Sequence, residues 1–120
     1  MKVLFVDDEA DIRELIEIAI CVEQDIEPVF AASGQEALDL MAAQDFDIIL
    51  LDVMMPPPDG MEVLRRARSK ANLTHAKIVM CTAKTALEFE EEFRALGADE
   101  VLHKPFKPLQ LAEYLRNLLA

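Results

Sequence analysis

Three short runs, Val3–Val6, Ile48–Leu51 and Ile78–Cys81, are apolar at every position and rich in β-branched residues. A strand with one wet face alternates apolar and polar side chains. A strand covered on both faces does not, so runs of this kind belong to the interior of a parallel sheet. Two weaker runs, Pro28–Ala31 and Val101–Leu102, read as peripheral strands of the same sheet.

Helical patterns fill the gaps. Ile12, Leu15, Ile16, Ala19 and Val22 recur at helical spacing. Ser33 with Glu36 makes a capping box ahead of Ala37, Leu38 and Met41. Gly60 opens a third helix carrying Met61, Val63 and Leu64, and Glu88 to Leu96 forms a fourth, stopped at Gly97. Pro108 starts the last, with Leu111, Leu115, Leu118 and Leu119 on one stripe. Strand and helix alternating five times imply right-handed crossovers and a doubly wound parallel sheet. Ligands of such sheets bind beyond the carboxyl ends of the strands.

That is where the chemistry-bearing residues fall. The first run ends in Asp7-Asp8, the third in Asp52 and the fourth in Thr82. The fifth is followed by Lys104-Pro105. Each alone has an ordinary reading: a solvated strand end, a helix cap, a surface lysine. All five at strand ends of one βα series point instead to a pocket of three carboxylates, one hydroxyl and one ammonium. Lys104 offsets one carboxylate only, and a hard divalent cation suits the remaining oxygens, Mg²⁺ in particular. A carboxylate such as Asp52 can accept a phosphoryl group as an aspartyl phosphate when metal, ammonium and hydroxyl neutralise the phosphoryl oxygens. No glycine-rich phosphate loop, G-x-S-x-G or H-E-x-x-H motif offers a competing centre.

Charge and cysteines narrow the setting. The formal net charge of −11 disfavours direct binding to nucleic acid or to an anionic membrane surface. No apolar run is long enough to span a bilayer. Cys21 and Cys81 sit among apolar residues and read as reduced core cysteines of a cytoplasmic protein.

Through "VDDE" at Val6–Glu9, "LLDVMMPPPDG" at Leu50–Gly60, "CTAK" at Cys81–Lys84 and "GADEVLHKPF" at Gly97–Phe106, the chain resembles the receiver domain of two-component response regulators. The resemblance covers residues 1–120 as one receiver domain. It implies a flavodoxin-like (βα)5 sheet in the strand order 2-1-3-4-5. It implies that Asp52 takes a phosphoryl group from a sensor histidine kinase or phosphotransfer protein. Asp8, Asp52 and the backbone carbonyl of Met54 would bind Mg²⁺ directly, with Asp7 acting mostly through a metal-bound water. Thr82 and Lys104 would hold the phosphoryl oxygens, and the Lys104–Pro105 peptide would be cis. Such a domain is a signalling switch that catalyses its own phosphorylation and slow dephosphorylation. Its output surface would be the fourth helix, fifth strand and fifth helix. That surface acts on a downstream partner, a phosphorylation-dependent dimer or a C-terminal effector domain absent from this chain.

The family often has an aromatic residue three positions before the lysine. Here it is Val101, which sets the aromatic part of the switch aside. Met54 and Lys84 occupy two positions that vary in the family, where a polar side chain could position a hydrolytic water. His103, beside Lys104, reads as a bystander. Two rival functions have their own signatures. An aspartate-nucleophile phosphatase wants a second acid two residues after the nucleophile, where Met54 stands. A pure interaction module would lack one of Asp8, Asp52, Thr82 or Lys104.

Overall fold

The computed structural model describes residues 1–83 and 89–120. Five parallel strands, β1 (Lys2–Val6), β2 (Glu27–Ala31), β3 (Ile48–Asp52), β4 (Lys77–Ala83) and β5 (Glu100–Lys104), lie in the order 2-1-3-4-5. The five α-helices among the described residues are α1 (Ala10–Ile20), α2 (Gly34–Ala43), α3 (Gly60–Arg68), α4 (Glu90–Ala95) and α5 (Leu111–Leu119). This is the doubly wound sheet expected from the alternation, in the flavodoxin-like strand order that the resemblance implied. None of these helices is long and apolar enough to cross a membrane.

The sheet divides two cores by the pleat alone. Leu4, Val6, Ile49, Leu51, Ile78 and Met80 face one way, onto Leu38 and Met41 of α2, Val63 and Leu64 of α3 and Phe93 of α4. Val3, Phe5, Ile48, Leu50, Val79 and Cys81 face the other, onto Ile16 and Ile20 of α1 and Leu111 and Leu115 of α5. Successive residues alternate between these cores, which is why the three central runs carry no polar position.

Five details depart from the sequence expectations. In α1 only Ile16 and Ile20 are buried, while Leu15 and Val22 are 50% and 76% exposed. Cys21, just past that helix, is exposed, whereas Cys81 is buried. Leu119 is also largely exposed. The fifth strand is longer than its two apolar residues, because main-chain pairing with β4 carries Glu100, His103 and Lys104 into the ladder. The fourth helix runs over Glu90–Ala95, and the expected start at Glu88 lies outside the described residues.

The helix ends follow their sequence signals. Ser33 accepts from Glu36 N–H at 3.1 Å, and Asp59 caps α3 by accepting from Glu62 N–H at 3.0 Å. Beyond α4, Gly97 takes φ +107°, the left-handed conformation that a residue with a Cβ avoids. A 3-10 turn, Pro108–Gln110, precedes α5.

Candidate functional site

Register brings the expected residues to one edge. β3 pairs with β1 on one side and β4 on the other, so Asp52 ends the central strand opposite Cys81, one residue before Thr82. Asp7 follows directly on β1, its N–H bonded to Ala31 O at 3.1 Å. Lys104 is the last residue of β5, opposite Ala83.

Side chains then close the pocket. Lys104 Nζ donates to Asp52 Oδ1 at 3.0 Å and to Asp7 Oδ2 at 3.3 Å. Asp7 Oδ1 accepts from Glu9 N–H at 2.9 Å, and Arg13 Nη1 donates to the Asp7 carbonyl at 2.7 Å. Asp7, Asp52 and Thr82 are buried, while Asp8 is exposed. One carboxylate oxygen from each of Asp7, Asp8 and Asp52 lies within 4.8 Å of the others. Thr82 Oγ1 is buried with no hydrogen-bond partner among the described residues.

Two carboxylates on one ammonium, with a third beside them, leave the pocket negative. Burial pushes the Asp52 carboxyl above its ordinary range, against the pull of Lys104, and the charges of Asp7 and Asp8 add to the rise. Burial alone would lower Lys104. Its hydrogen bond to Asp52 and the charges of Asp52 and Asp7 outweigh that and raise it. The Asp52 rise comes first from burial, the Lys104 rise from the negative charge around it. Beneath them the Cys81 thiol is pushed up to about 12 by burial, so it stays protonated and takes no part.

The residues present fit a hard divalent cation on three observations. The donors are all oxygen, they converge, and one lysine cannot neutralise them. The Thr82 hydroxyl near the end of β4 has no partner among the described residues, and the Lys104 ammonium donates to Asp52.

The loop after Asp52 approaches the strand end through Gly60. A Cβ there would come 2.4 Å from the Asp52 carbonyl oxygen, so only glycine lets α3 start against β3, with Gly60 N–H donating to Val53 O at 3.2 Å. Met54, in that loop, is 78% exposed. The Lys104–Pro105 peptide is cis, as is Pro57–Pro58. Lys84 lies outside the described residues. Sequence reasoning missed Arg13, which steadies Asp7 from one turn into α1. Its spacing from Asp7 was the available signal. Val101 packs against the core on the α2–α3–α4 side.

A family model described as "Response regulator receiver domain" matches residues 3–116. Two curated relatives, each named "Probable transcriptional regulator ycf27", come from Porphyridium aerugineum and Cyanophora paradoxa. They are 33% and 36% identical over 98% of this chain and 48% of their own length. The chain thus spans about half the length of these relatives. Among solved structures, chemotaxis protein CheY4 of Vibrio cholerae is 35% identical with a TM-score of 0.88, over 97% of this chain and 96% of its own. The receiver domain of Francisella response regulator 1452 is 32% identical with a TM-score of 0.84, over 98% of this chain and 94% of its own.

Proposed function

The chain belongs to the response regulator receiver family, and from that premise we propose that residues 1–120 form one phosphoacceptor switch with Asp52 as its acceptor. The observation that carries the proposal is Lys104 spanning Asp52 and Asp7 beside the unpartnered Thr82 hydroxyl. A carboxylate oxygen of Asp52 attacks the phosphorus of a phosphohistidine on a sensor kinase or phosphotransfer protein. The P–N bond breaks, and the leaving imidazole nitrogen regains its lone pair. Lys104 and Thr82 hold the phosphoryl oxygens as charge builds on them. Asp8, Asp52 and the Met54 carbonyl would hold Mg²⁺, with Asp7 behind a bound water. The ion would supply further neutralisation of the phosphoryl oxygens.

An apolar groove of about 300 Å³ beside the pocket, lined by Ile12, Leu15, Ile16, Pro105 and Phe106, supports docking of the phosphodonor next to Lys104. The exposed Leu15, Ile18 and Val22 of the same side extend that surface. Readout belongs to α4, β5 and α5, acting in the cytoplasm on a downstream partner or effector domain. Loss of the phosphoryl group is slow, because the exposed Met54 offers only a weak thioether acceptor to a hydrolytic water.

The test uses a small phosphodonor, acetyl phosphate, with Mg²⁺, followed by intact mass. A single phosphoryl adduct is expected, lost on Asp52→Asn and on chelation of the metal. Adduct on Asp52→Asn would reject the acceptor assignment. Steady phosphate release without adduct would favour a turnover phosphatase.

A further inference from the structure

Between β1 and α1 the chain is pinned on both sides of Asp8. Asp7 N–H donates to Ala31 O at 3.1 Å, and Arg13 Nη1 donates to Asp7 O at 2.7 Å. Beyond Asp8, Glu9 N–H donates to Asp7 Oδ1 at 2.9 Å, and Arg13 N–H closes the first helical turn on Glu9 O at 3.2 Å. Arg13 thus supplies two of these four bonds, one from its side chain and one from its backbone.

The side-chain bond runs against local preference. Arg13 is the fourth residue of α1, where the positive end of the helix dipole disfavours a cation. The carboxylates of Asp7, Asp8 and Asp52 offset that. A charged donor on a carbonyl also makes a stronger bond than a neutral one. The Asp7 carbonyl and the Asp8 N–H belong to one peptide unit, and a peptide unit is flat. Fixing that carbonyl fixes the plane from which Asp8 departs. The Asp7 carboxylate needs little such help, since it already takes Glu9 N–H and Lys104. Asp8 is exposed, and its aim depends on its backbone. We infer that Arg13 is a positioning residue acting through the Asp7–Asp8 peptide: it keeps the Asp8 carboxylate turned toward Asp7 and Asp52 and so sets the affinity of the pocket for a divalent cation. This rests on the reading of the acidic pocket as the Mg²⁺ site of the proposed phosphoacceptor.

The sign of the effect separates this role from simple charge. A guanidinium acting by its charge alone repels an incoming cation, so its removal would tighten metal binding. A positioning guanidinium does the reverse. Without it the Asp8 carboxylate samples other directions, and ordering it on the ion costs affinity. Loss of an outer partner of a metal ligand weakens binding by about 10- to 100-fold. The lower end suits Asp8, which Arg13 holds through a peptide rather than directly.

The experiment titrates Mg²⁺ alone into the full chain and follows the amide resonances of Asp7, Asp8, Glu9 and Asp52. The proteins are wild type, Arg13→Met, Arg13→Lys, Asp8→Asn and the double variant of Asp8→Asn with Arg13→Met. Titrations run well below the melting temperature of every variant, so a loss of stability does not enter the affinity. Arg13→Met keeps the apolar stem but neither donor nor charge, and is expected to weaken Mg²⁺ binding about tenfold. Arg13→Lys keeps the charge and a donor, and is expected to recover most of that loss. Asp8→Asn binds more weakly from the start, and adding Arg13→Met to it is expected to cost little more, because the carboxylate that Arg13 positions is gone. Unchanged or tighter Mg²⁺ binding in Arg13→Met overturns the inference. So does an equal loss from Arg13→Met in the wild-type and Asp8→Asn backgrounds. Either result leaves the acceptor reading of Asp52 intact. No saturable Mg²⁺ binding by wild type would overturn the metal site itself, and this inference with it.

Discussion

At the amino end of the sheet, Arg68 donates to Gly97 O at 2.7 Å, to Leu73 O at 3.0 Å and to Asp99 Oδ2 at 2.6 Å. Asp99 Oδ2 also accepts from Ile78 N–H at 2.9 Å, and Asp99 N–H donates to Ile78 O at 2.8 Å. One cation meets one carboxylate there, and the surrounding carbonyls use its remaining donors. At the carboxyl end, Lys104 serves two carboxylates while Asp8 stands by. The residue types are the same. The difference is the ratio of charges and whether each polar atom has a partner. The amino end is finished by the protein itself and reads as structure. The carboxyl end is left over-acidic with an orphaned hydroxyl, the pattern of a site that could take a ligand.

The sharpest way to break that contrast is to remove Arg68. Arg68→Ala leaves the half-buried Asp99 carboxylate without its ion pair and two carbonyls without donors. Truncating one partner of such a pair costs about 3 kcal/mol, which for a domain of this size lowers Tm by more than about 10 °C. Urea melts would measure it, and intact mass after acetyl phosphate, taken well below Tm, should show the Asp52 adduct unchanged. A loss below about 1 kcal/mol, the range of a surface pair, would show that the amino end is no staple.

The carboxyl end should respond with the opposite sign. Asp52→Asn removes a buried charge that its surroundings raise toward protonation, and Lys104 keeps Asp7 as a partner. In chelator, the variant should be more stable than wild type by on the order of 1 kcal/mol, the scale of one like-charge contact. Wild type should recover that difference on adding Mg²⁺, by mass action on the folded state. Thermal melts with and without the ion decide it. A destabilised Asp52→Asn in chelator would mean that the acids are balanced without metal.

How much of this the sequence displayed follows from the range of each interaction. The central strands were legible because burial on both faces writes an unbroken apolar run, as in Ile48–Leu51. β5 was half hidden, since main-chain pairing rather than apolar side chains recruits Glu100, His103 and Lys104. The α1 stripe misled at Leu15 and Val22, because helical spacing marks an apolar face without saying whether a neighbour covers it. The pocket was legible because parallel strands deliver their last residues to one edge. Asp7, Asp52, Thr82 and Lys104 arrive there by topology alone. Arg68 with Asp99, and His103 with Glu90, were not, because a contact between elements leaves no local pattern.

The smallest expected effect sharpens the amino end further. Arg116 clamps Asp25 there with two donors, Nε to Oδ2 and Nη2 to Oδ1, each at 2.7 Å, and also meets Glu23. The Arg116 hydrogen bonds hold the Asp25 carboxyl at about 2, below its ordinary 3.8. A depressed acid contributes stability at pH values above its unfolded pKa and loses it as pH falls through the folded value. The contribution is therefore intact at neutral pH and fades between about 4 and about 2. Both side chains are well exposed, so the change in stability at neutral pH on Arg116→Ala should be small. The titration should not be small: in the variant, the Asp25 carboxyl carbon resonance should move back into the ordinary carboxylate range. Arg116→Lys keeps the charge but not the planar fork, and should fall between. If Asp25 titrates alike in all three proteins, the clamp does not bind its proton equilibrium. The amino end would then owe its order to Arg68 alone.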